Sequence, residues 1–143
     1  MISRRALFAA AIFAITPPAL AAGGGGEATR EQQRLTSAET YVPFPTFSTA
    51  VIANGRARGT LVIDVGVDVP DAALRSRVTS LTPRLTDSLR TAIATYSSTY
   101  YRDRTAPDPA TLSRLMQVAV DRTLGRTGAR LLLANVVYQH RQG

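Results

Sequence analysis

An α+β domain is what the sequence predicts: a small antiparallel-type sheet, formed by an N-terminal hairpin and a C-terminal strand, packed against a long kinked helix and a second helix. Three observations predict it. Asn54-Gly55 stands between two β-rich runs, and this pair is a strong hairpin signal. Leu61, Ile63, Val65, Val67 and Val69 alternate with Val62, Asp64, Gly66 and Asp68, the period of a strand with one apolar face. Apolar residues then recur at helical spacing over residues 74–96 and again over residues 112–124, as one face of an amphipathic helix requires.

The elements follow in order. Tyr41-Val42-Pro43-Phe44-Pro45 forms a stiff lead-in, because each proline fixes its own φ and pushes the residue before it to extended geometry. The domain, residues 41–143, starts there. Residues 46–53 read as the first strand, and Gly59 marks where pairing resumes after a short loop bearing Arg56 and Arg58. Burying the five apolar side chains of the second strand contributes about 1.5–3 kcal/mol each, enough to pin the sheet register. Asp64 and Asp68 fall on its other face, too far apart to share a proton, and read as solvated strand carboxylates. Pro70-Asp71 ends the strand, with Asp71 as the cap of the next helix. That helix presents Leu74, Val78, Leu81, Leu85, Leu89, Ile93 and Tyr96 on one side. Pro83 lies inside it and predicts a kink or break near residues 79–82. Asp108-Pro109 opens the second helix, which turns Leu112, Leu115, Met116, Ala119, Val120 and Leu124 inward and stops at Gly125. The last strand, residues 130–139, sets Leu131, Leu133, Asn135 and Val137 on one face and Leu132, Ala134, Val136 and Tyr138 on the other, a pattern that predicts cover on both sides.

Residues 1–21 read as an export signal. Arg4 and Arg5 supply its charge, residues 6–15 its apolar run, and Ala19-Leu20-Ala21 a cleavage triplet, which predicts a cut between Ala21 and Ala22. At 1.5 Å per residue the run covers roughly half of a ~30 Å hydrocarbon core, too little for a permanent span. The arginine pair fits the twin-arginine address and equally an ordinary secretory signal. Both routes lead to the periplasm. Residues 22–40, Gly-rich and then polar, read as a flexible tether.

Composition narrows the chemistry. Among 143 residues there are 17 arginines, no lysine, 10 acids, one histidine and no cysteine. Thiolate metal sites, iron–sulfur clusters and cysteine nucleophiles are thereby excluded from this chain. With His140 alone, a multi-histidine metal site or a histidine-based triad is hard to build. Neither a P-loop nor a G-x-S-x-G nucleophile motif is present. No catalytic residue, metal or cofactor is therefore predicted, and an enzyme is not expected. Removing residues 1–21 takes away two arginines and no acid, so the remainder stays basic. Its arginines are scattered, which predicts a solvated surface rather than a nucleic-acid footprint. Arg56, Arg58, Arg102 and Arg104 could alternatively meet anionic lipid or cell-wall polymer.

Four stretches together resemble the periplasmic domain of the flagellar basal-body-associated FliL family: Tyr41-Val42-Pro43-Phe44-Pro45-Thr46-Phe47; residues 60–69 running into Pro70-Asp71; Leu81-Thr82-Pro83-Arg84-Leu85-Thr86-Asp87-Ser88-Leu89; and Val136-Val137-Tyr138-Gln139. The resemblance covers residues 41–140. It implies a stomatin-like fold, self-association and a non-enzymatic role beside the flagellar motor, supporting its stator units in motility. Members of that family keep an uncleaved N-terminal membrane helix, so the cleavage triplet here implies a soluble relative. A second departure lies in residues 95–105, where Tyr96, Tyr100, Tyr101, Arg102 and Arg104 cluster. Tyr and Arg are the composition favoured at protein interfaces, which makes these five the candidate contact residues; packing of the rings over the helix ends is the alternative.

Overall fold

The computed structural model of the chain describes residues 39–141. The expected export signal, its Ala21–Ala22 cut, Arg4, Arg5 and residues 22–38 of the tether lie outside them. Within them the fold is α+β, a four-stranded antiparallel sheet with three helices.

The alternating segment forms β3 (Arg56–Asp68), the axis of the sheet. Its Leu61, Ile63, Val65 and Val67, with Val69 just beyond, are buried as the period required. β1 (Tyr41–Pro43) and β2 (Phe47–Ala53) pair antiparallel with its two ends, and β4 (Arg130–His140) pairs antiparallel along most of its length. Since β4 occupies one side of β3, β1 and β2 share the other as a single edge interrupted at Pro45. Across the gap Phe44 N–H still donates to the carbonyl of Val65 at 3.1 Å.

Asn54 and Gly55 both have left-handed backbone, φ 53° and 72°, as a two-residue turn matched to strand twist demands. Pairing resumes at once, with Ala53 opposite Arg56 and Ile52 opposite Ala57. The arginine-bearing loop expected before Gly59 is therefore strand, and Arg58 is the extra residue of a bulge.

Asp71 caps α1 (Ala72–Ser80), its carboxylate accepting the backbone N–H groups of Ala73 and Leu74. The predicted interruption falls at Leu81, between α1 and α2 (Thr82–Thr95). Pro83 has no N–H for the carbonyl four residues back, and the Thr82 hydroxyl takes that place by donating to Thr79 O at 2.9 Å. Asp108 caps α3 (Pro109–Leu124) in the same way as Asp71, and Gly125 ends it at φ 72°. Arg77 Nε donates to the carbonyl of Leu124 at 3.1 Å, which ties α1 to carbonyls that no helical N–H can reach. Leu85, Leu89 and Ile93 of α2 and Leu112, Met116, Val120 and Leu124 of α3 are buried together against one face of the sheet.

Two expectations are corrected. In β4, Asn135 faces Asp64 and Leu133 faces Val65, leaving Ala134 as an extra residue. The alternation slips there by one position. Leu131 and Leu133 before the bulge and Val136 and Tyr138 after it therefore share the helix-covered face, while Leu132, Asn135 and Val137 lie on the open one. Val137 is 41% exposed, so β4 is covered on one side only. The strand carboxylates are not simply solvated either. Asp64 accepts from the Thr46 hydroxyl at 2.6 Å and the Asn135 amide at 3.4 Å. Asp68, between Tyr41 and Arg130 in the register, is buried with Oδ1 unpartnered.

Candidate functional site

The segment after α2 departs from α-helical geometry. Instead of turning directly into the next helix it makes one wide π-helical turn, Tyr96–Tyr100, a form that occurs mostly as single turns and often at functional sites. Side chains pin it. The buried Ser97 hydroxyl donates to Ala50 O on the edge of β2 at 2.9 Å. Asp108 N–H donates to the Tyr96 hydroxyl at 2.6 Å, and the Tyr101 hydroxyl donates to Thr105 O at 2.8 Å. Tyr138 of β4 completes the cluster by donating to Asp103 Oδ1 at 2.5 Å. Its ring lies 5.3 Å from that of Tyr101, which lies 6.1 Å from that of Tyr96, within the range of favourable tilted aromatic pairs.

Arg102 to Thr105 form a tight turn closed from Thr105 N–H to Arg102 O at 3.2 Å and reinforced by the Thr105 hydroxyl. Its third residue, Arg104, has φ 65°, a backbone that normally favours glycine.

The five candidate contact residues separate into two groups. Tyr96 and Tyr101 are buried and belong to the core, so for these two the packing alternative holds. Tyr100, 52% exposed, with Arg102 and Arg104, both exposed, remain on the surface. Sequence reasoning missed Ser97, Asp103 and Tyr138 as the groups that position the segment.

Burial pushes the Tyr96 phenol up from 10.0 against the pull of its Asp108 N–H bond, and burial followed by the charge of Asp103 raises Tyr101. The hydrogen bond to Asp103, then burial, pushes Tyr138 up to about 12. A pKa raised by folding stabilises below the unfolded value and loses that contribution as pH climbs through the folded one. The urea midpoint should therefore be insensitive to these groups up to pH 10.0 and fall between there and about 12. In Tyr138→Phe the fall should be shallower; an unchanged slope would contradict the assignment. At the acid end, the Thr111 hydroxyl and backbone N–H groups hold Asp108 below 3.8, so its capping contribution is complete above that pH and fades below it.

Clefts also lie elsewhere among the described residues. A groove of about 350 Å³ between α2 and α3 has an apolar floor including Ala92, Leu115 and Ala119, with Asp87 and Arg122 at its rim. A shallow cleft of about 330 Å³ at the hairpin end includes Thr60, Gln139, His140 and Arg141. Among the described residues no three His, Cys, Asp or Glu side chains gather as metal ligands, and no helix is long and apolar enough to cross a membrane. Comparison with protein-family models and with curated proteins returns no match.

Proposed function

We propose that the chain is an exported, non-enzymatic protein-binding module, a soluble FliL-like protein with a stomatin-like domain that sits in the periplasm at the flagellar basal body and supports stator units. The order of elements supports this reading: an interrupted edge, a long strand running into Pro70-Asp71, a helix broken before Pro83, a second helix and a C-terminal strand. One observation carries the binding role. Tyr100, Arg102 and Arg104 stand exposed on a segment whose backbone is held at both ends by buried hydroxyls, with Arg104 in left-handed geometry. Backbone strain held by its surroundings marks functional sites, and a preorganised surface loses less entropy on binding.

The test is deletion in the native host, complemented with wild type or with a Tyr100→Ser, Arg102→Ser, Arg104→Ser variant. Swimming should be impaired by the deletion, restored by wild type and not by the variant, and a tagged chain should collect at flagellar bases. Normal swimming in the deletion strain, with an even periplasmic distribution, would defeat the motor role. Retention by protein-free anionic vesicles that decays steeply with salt would instead favour a module binding lipid or cell-wall polymer through Arg56, Arg58, Arg102 and Arg104.

A further inference from the structure

Side chains meet three outward main-chain groups at the sheet edges. On β2 the carbonyl of Ala50 takes the Ser97 hydroxyl. At the start of β4 the Gln117 carboxamide acts as a substitute strand, donating to Ala129 O and accepting Leu131 N–H, both at 2.8 Å. Beyond the Ala134 bulge the edge is different. Arg141 N–H donates to Arg58 O of β3, and antiparallel main-chain groups alternate in direction. Gln139, Val137 and Asn135 therefore turn theirs toward β3, and His140, Tyr138 and Val136 turn theirs away. Among the described residues nothing meets those outward groups. An edge left open in this way is a template for another strand, and this one carries neither proline nor lysine to prevent it.

We propose that the strand it receives is β4 of a second copy, paired antiparallel about a two-fold axis through Val137. In that register Val136 exchanges main-chain bonds with Tyr138 of the second copy, and the reverse, giving about four N–H···O bonds. Val137 opposes itself and extends the apolar row that it forms with Val62 on the open face. Gln139 opposes Asn135, amide against amide. Arg141 opposes Leu133 and Arg130 lies beyond the overlap, so no cation faces a cation. Centring the axis on Tyr138 would instead set Gln139 against Val137 and mismatch both. The overlap is short, well under the ~1,200 Å² of a standard interface, so the dimer is weak and concentration-dependent. This inference deepens the protein-binding reading by naming one occupant of the surface.

Sedimentation velocity on the exported chain, over about two decades of concentration, should show wild type moving from monomer toward dimer. Val137→Arg places two guanidinium groups face to face and should lower the association constant at least about tenfold, as should Val137→Glu. Because residue 137 meets only its own copy, an equimolar mixture of the two variants should restore the dimer. Circular dichroism checks that each variant is folded, which the exposure of Val137 favours. A wild type that is monomeric throughout, an arginine variant that dimerises like wild type, or a folded mixture that stays monomeric would overturn the pairing. Loss of the dimer on Tyr100→Ser with Arg102→Ser would move the contact to the tyrosine segment and overturn it too. A monomeric chain that still collects at flagellar bases would defeat the pairing alone and leave the motor role standing.

Discussion

Tyr101→Ala is expected to cost about 3 kcal/mol or more of folding stability, and Tyr100→Ala less than about 0.5 kcal/mol. The two residues are neighbours of the same type, yet Tyr101 is 8% exposed and Tyr100 52%. Truncating Tyr101 opens a cavity between Tyr96 and Tyr138 and removes the donor that satisfies Thr105 O. With that bond gone, the turn holding Arg104 in left-handed geometry loses one of its supports, so the exposed arginines should become mobile as well. Urea denaturation of both variants measures the difference. Equal losses would mean that the two rings share one environment.

Gly59→Val is expected to destabilise by about 2–3 kcal/mol, at the upper end of overpacking effects. A Cβ at this position would collide with the backbone oxygen of Gln139 and with the ring of Tyr138. The oxygen belongs to the ladder between β3 and β4, where Gln139 faces Thr60, and cannot retreat without breaking it. The ring cannot retreat without releasing Asp103. Hydrogen exchange should therefore show loss of protection concentrated in residues 136–141 and spreading to the turn at residues 102–105. A wild-type midpoint for this variant would show that β4 does not lie this close to β3.

Gly59 also illustrates how much of the candidate site was legible. It read as the point where pairing resumes after a loop, whereas pairing already runs through Arg56 and Ala57 and Gly59 borders the bulge at Arg58. That a tyrosine ring nearly eighty positions later fills the space above it was not legible, because no local signal links the two. The same holds for the tyrosines of residues 96–101. Composition marked them as a cluster, but burial of Tyr96 and Tyr101 depends on Thr105 and Asp108 of the following loop and on Tyr138 of the distant β4.

What the sequence by itself determined is the part of the fold governed by contacts within a few residues. Asn54-Gly55 supplies left-handed backbone for the turn, Asp71 and Asp108 satisfy N–H groups two and three residues ahead, Pro83 removes a bond within its own helix, and the alternation through Val69 selects one face of a strand. Only the tertiary structure decided the matters that depend on which segments meet. The register of β4 on β3 created the bulge at Ala134 and exposed Val137, which simple alternation had placed on the same face as Leu131. The docking of the π-helical turn on β2 and of Gln117 on β4 determined which edge groups are capped, and therefore which remain open. The physical reason is that caps and turns are stabilised over a few bonds of chain, whereas register and edge exposure are settled by competition among surfaces distant in sequence.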